Sequence, residues 1–108
     1  MFVRRSLASC LSQTRAAYPA VDTLSPARRA ALVSLVYNRG PSLVDAPGSD
    51  RRLEMRRIRE LLDEGRMDEV AEQLEAMARL WDPGSGLVDR RLREAVLWRS
   101  GFEPLQLA

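Results

Sequence analysis

Histidine and lysine are absent from this 108-residue chain, and cysteine occurs once, at Cys10. Without histidine no imidazole serves as general acid or base, and neither a Ser-His-Asp nor a Cys-His triad can form. The commoner zinc sites are excluded too. A single cysteine makes no intrachain disulfide and leaves the redox compartment unspecified. No run approaches the roughly 20 apolar residues of a membrane-spanning helix. Leu7-Ala8-Ser9-Cys10 has the form of a lipoprotein cleavage box. A secretory signal, however, needs an apolar core of roughly 7–15 residues ahead of its cleavage site. Only Met1 to Ser9 precede Cys10, with Arg4 and Arg5 among them, so Cys10 reads as a small buried hydrophobe. With no signal peptide recognised, the expected location is cytoplasmic until lysis or export by another route.

All 17 basic residues are arginine, set against 15 acidic ones for a formal charge of +2. The high pI of 9.3 therefore reflects arginine chemistry more than a strong net field. A hydrophobic share of 45% with 30% charged residues is ordinary for a globular chain. The length suits one domain that buries roughly two-thirds of its surface.

The pattern is helical throughout. Val3, Leu7, Cys10 and Leu11 recur at helical spacing and predict a first helix over 3–17, closed by Tyr18-Pro19. Ser25 as N-cap and Pro26 at the first helical position open the second. From Ala30 to Tyr37 seven of eight residues are apolar, with Ser34 the interruption. Such a run predicts a helix buried on every side, stopped at Gly40-Pro41. Pro41 to Ser49 reads as a loop. A third helix over 50–64 carries Leu53, Ile58, Leu61 and Leu62 inward, with Glu54 and Asp63 on its solvated face and Gly65 at its end. A fourth over 67–80 buries Val70, Leu74 and Met77, with Asp68 and Glu69 in its first turn and Trp81 closing it. After the Asp82–Gly86 turn, a last helix over 87–100 carries Val88, Leu92, Ala95 and Val96 on one face. The expected fold is all-α: a single compact bundle of about five helices around a central helix at 25–39. Residues 1–24 form an N-terminal helix and connector, 25–101 the helical lobe and 102–108 a tail.

A greasy helix ending in Tyr37-Asn38-Arg39-Gly40 resembles the central helix of the phage-type lysozymes, or endolysins, whose tip of this kind lines the glycan cleft. Trp81, Pro83, Gly84, Gly86-Leu87, Arg90-Arg91 and Glu94 follow in that family's order. The likeness covers the C-terminal lobe. The family's catalytic motif, a Glu followed by an Asp or Cys and then a Thr, lies in a separate N-terminal lobe. Glycosidic cleavage needs one carboxylic acid to protonate the leaving oxygen and a second group across from it. Here the first Glu is Glu54 while the threonines are Thr14 and Thr23, so that order does not occur. The resemblance therefore implies a glycan-facing lobe without its catalytic acid: a truncated, split or accessory cell-wall-lysis protein of phage or prophage origin.

Tyr37, Asn38, Arg39, Trp81 and Arg91 are the glycan-binding candidates that this likeness implies, with no catalytic residue, metal ligand or cofactor expected. Each also has a plainer reading. Tyr37 suits a core aromatic, Asn38 a helix cap and Trp81 a packing anchor, while Arg90 and Arg91 suit solvated or ion-paired positions, with Glu94 near on the same helix. The expected partner is the peptidoglycan glycan strand, with a catalytic N-terminal lobe on another chain or a homo-oligomer beside it. No membrane partner is expected. The alternative is a small helical interaction module whose arginine face meets an acidic protein or nucleic acid. Arg51, Arg52, Arg56, Arg57 and Arg59 are its densest charge, but Glu54, Glu60, Asp63 and Glu64 interleave with them. A salt-bridged surface is favoured over a nucleic-acid face.

Overall fold

The computed structural model describes residues 7–101. The regular structure there is helical: α1 (Leu7–Ala17), α2 (Pro26–Arg39), α3 (Leu53–Asp63), α4 (Val70–Ala76) and α5 (Gly86–Ser100). Short 3-10 turns at Pro19–Thr23, Met67–Glu69 and Met77–Leu80 join them. The chain is all-α, a single compact bundle of five α-helices, with no strand among the described residues. The expected contribution of Val3 and of the Leu7 side chain lies outside the described residues, and Cys10 is buried as expected.

The punctuation of α2 follows its sequence. Ser25 Oγ accepts from the Arg28 N–H at 3.3 Å and Pro26 fills the first helical position. Gly40 ends the helix at φ 83°, where a Cβ would be strained, and its N–H donates to Val36 O at 2.7 Å. Ala31, Leu32, Leu35 and Val36 are buried in the core. The opposite face corrects the sequence reading. Among the described residues Ala30 is exposed, Val33 and Ser34 are half-buried, and Tyr37 is 49% exposed. An all-apolar run shows which faces can be buried, not how many neighbours arrive to cover them.

Two other expectations change. α3 begins at Leu53 and not at Asp50, because the loop residue Asp45 reaches back to cap it, accepting from Arg52 N and Arg56 Nη1, each at 2.6 Å. The Arg56 guanidinium beside it holds the Asp45 carboxyl below its ordinary value. On α5 the inward stripe is Val88, Arg91, Glu94, Ala95 and Trp98. The expected Leu92 and Val96 stand 41% and 66% exposed. Hydropathy places arginine and glutamate outside, so it rotates this helix wrongly when the two are buried as a pair. Glu54 likewise is not solvated: it is buried and accepts twice from Arg79, at 2.7 and 3.1 Å.

α5 packs on α4 and on α2. It runs antiparallel to α2, since Asn38 meets Arg91 at one end and Gly101 meets Ser25 and Ala27 at the other. A Cβ on Gly101 would lie 2.6 Å from Ala27 Cβ and 2.9 Å from Ser25 Oγ. Gly101→Ala is therefore expected to cost about 1–3 kcal/mol by overpacking, read as a lower urea midpoint. An unchanged midpoint would mean that the helix ends part freely. Trp98 fills the interior, donating Nε1–H to Met67 O at 2.8 Å with the Arg28 guanidinium 5.0 Å above its ring.

Candidate functional site

The tip of α2 gathers four of the five candidates, although they do not play one role. Asn38 is exposed, and its Oδ1 accepts from Arg91 Nη1 at 3.0 Å. Arg91 is completely buried, so it offers nothing to a ligand directly. Its Nη2 donates to Glu94 Oε2 at 2.8 Å, while Nε lies 2.7 Å from Glu94 Oε1 as an ion contact outside hydrogen-bond geometry. Ser34 Oγ donates to the same Glu94 Oε2. One turn of α2 thus supplies Ser34 and Asn38, and one turn of α5 supplies Arg91 and Glu94. Burial lowers the Arg91 pKa and raises that of Glu94, and each charge opposes the shift of the other. The network locks the α2 tip against α5 from beneath.

Arg39 is half-buried, with Nη2 donating to Arg51 O at 3.0 Å and its guanidinium 5.4 Å from the Trp81 ring centre. The Arg91 guanidinium stands 5.9 Å from the same ring. Trp81 is half-buried against the core and braces two cations, the packing role left open by the sequence. Burial and the nearby Arg52, Arg51 and Arg91 charges depress the Arg39 pKa to about 10. Even so lowered, the group is cationic at neutral pH.

Tyr37 stands apart from this cluster. It lines a groove of about 640 Å³ with Leu11, Pro26, Arg29, Ala30, Val33, Ser34 and Arg90. Consecutive helical positions point roughly 100° apart, so Tyr37 and Asn38 serve different surfaces. Sequence reasoning missed the roles of Ser34, Glu94 and Glu54. The first two carried a signal: Ser34 breaks the apolar run one turn before Asn38, and Glu94 sits three residues after Arg91. Among the described residues no group of three His, Cys, Asp or Glu side chains is placed to hold a metal ion. No helix there is long and apolar enough to cross a membrane. Comparison with known protein families, curated proteins and solved structures returns no match for this chain.

Proposed function

We propose that this chain is a lysozyme-like, peptidoglycan-related domain of phage or prophage origin that faces the glycan strand and lacks the muramidase acid. It would then act as a truncated, split or accessory part of a cell-wall-lysis system. The α2 tip carries the reading. With Asn38 Oδ1 engaged by Arg91, the exposed Asn38 amide N–H₂ is left to donate outward, at the same end of α2 as the half-buried Arg39 guanidinium. Amide and guanidinium donors suit the carbonyl oxygen of an N-acetylated sugar. Trp81 supports the site by holding Arg39 in place.

The carboxylates agree with a binding role. Glu54 and Glu94, the two buried carboxylates among the described residues, are each paired with an arginine. A carboxyl closed off from solvent and tied to a guanidinium is not presented to the leaving oxygen of a glycan. The purified chain is expected neither to clear peptidoglycan nor to release reducing sugar above background. In an NMR titration with chitin or peptidoglycan oligosaccharides, shifts should centre on Asn38, Arg39 and Trp81. With one wall of a cleft, affinity should be on the order of millimolar, about 4 kcal/mol. Asn38→Ala should abolish those shifts. Turnover that disappears on changing one carboxylate would overturn the binding-only reading.

The interaction-module reading has one observation of its own: Arg51, Arg52 and Arg57 make no ion pair among the described residues. By contrast, Arg56 and Arg59 are paired with Asp45 and Asp63. Glycan-independent shifts centred on 51–59 with an acidic partner, and silence at Asn38, would favour it.

A further inference from the structure

The open face of α2 has the spacing of a helix-packing seam. Pro26, Arg29, Ala30, Val33, Ser34 and Tyr37 fall at i, i+3, i+4, i+7, i+8 and i+11, and all line the groove. That stripe is about 17 Å long at 1.5 Å per residue, three turns of helix. α2 forms its floor, Leu11 of α1 and Arg90 of α5 flank it, and Ala30 and Ser34 keep its middle shallow in side chain. Small floor residues let a second helix axis approach to the 8–10 Å typical of packed pairs. The opposite stripe, Ala31, Leu32, Leu35 and Val36, is buried within the bundle.

Charge says what would fill the space. The charged residues lining the groove are Arg29 and Arg90, with no carboxylate among them. Eight other arginines, Arg15, Arg28, Arg56, Arg59, Arg66, Arg79, Arg91 and Arg99, sit in ion pairs, while Arg39, Arg51, Arg52, Arg57 and Arg93, which have none among the described residues, lie outside the groove. Arg90 has no ion pair among the described residues. Arg29 Nη2 donates to Leu24 O at 3.2 Å, yet its Nε is buried with no hydrogen-bond partner. Two guanidinium charges without a carboxylate beside them favour an acidic occupant over a basic one.

We propose that this groove seats an amphipathic helix of a partner protein, with apolar residues at i, i+3, i+4 and i+7 and carboxylates on its flanks. The apolar seam supplies contact area, and Arg29 and Arg90 set orientation and exclude a basic partner. The inference goes beyond the glycan reading and does not rest on it, because its test contains no glycan.

The test titrates the ¹⁵N-labelled full chain with a synthetic three-turn peptide bearing leucine and alanine on one face and glutamate on both flanks. A control peptide carries lysine in place of glutamate. The acidic peptide should shift Ala30, Val33, Tyr37 and Arg90 and bind at least tenfold more tightly than the lysine peptide. Arg29→Glu with Arg90→Glu should invert that preference. Ala30→Trp, which fills an exposed position without changing charge, should block both peptides. Unaltered far-UV circular dichroism checks that each variant is folded. Equal affinity for the two peptides, or binding unchanged by Ala30→Trp, overturns the proposal. So does a free chain whose groove is already occupied, by its own terminal residues or by a second copy that sedimentation reveals.

Discussion

Arg91→Met is expected to destabilise the chain by about 3–5 kcal/mol, because Glu94 would be left buried without its cation. Burial already holds the Glu94 carboxyl above its ordinary value, and without Arg91 the rise grows. A folded-state pKa above the unfolded one, roughly 4.3, gives a contribution fully present below the unfolded value and lost as pH rises through the folded one. The variant's deficit should therefore be largest near about pH 7 and shrink toward about pH 4. Pairing the change with Glu94→Leu should recover most of the loss, since an apolar pair leaves no buried charge. Urea unfolding of wild type, single and double variants at two pH values reads all of this. A deficit independent of pH would assign the effect to lost packing and not to the uncompensated carboxylate.

Leu35→Ala comes close in size. Leu35 is fully buried on the inner face of α2, between Leu32 and the Asn38–Arg91 contact along the helix. Truncation to alanine leaves a cavity that a bundle fixed at both ends of α2 cannot collapse, for a cost of about 2–5 kcal/mol. The same substitution at exposed Val96 should change stability by less than about 0.5 kcal/mol. Equal effects at the two positions would place the core elsewhere.

Leu32, Leu35 and Val36 were legible as core because they combine an apolar run with an N-cap and a glycine stop, and local chemistry sets all three features. All three are fully buried. Val70, Leu74 and Met77 were legible from their i, i+4 and i+7 spacing behind two first-turn acids, and all three are fully buried. The rotation of α5 was not, since burial of Arg91 depends on Glu94, Ser34 and Asn38 arriving together. Two of those lie more than fifty residues away in sequence. Asp45 as the cap of α3 was equally hidden, because a cap supplied from a loop leaves no spacing to recognise. At the site, sequence reasoning gathered Asn38, Arg39, Trp81 and Arg91 into one neighbourhood. It could not separate the exposed Asn38 from the buried Arg91, nor turn Tyr37 onto the other face.

The fastening of α2 to α5 has a mechanical consequence. The two helices are joined by the Gly101 contact at one end and by the Asn38–Arg91 bond at the other, with Ser34 bonded to Glu94 near the second. They form a beam of roughly 21 Å, the length of the 14-residue α2. A load applied at the Asn38 tip is not absorbed by a hinge within α2; close packing carries it along the beam to Gly101. The open face of α2 is one side of that beam, so whatever seats there meets a surface already set in shape, and fit along its whole length is decided before contact.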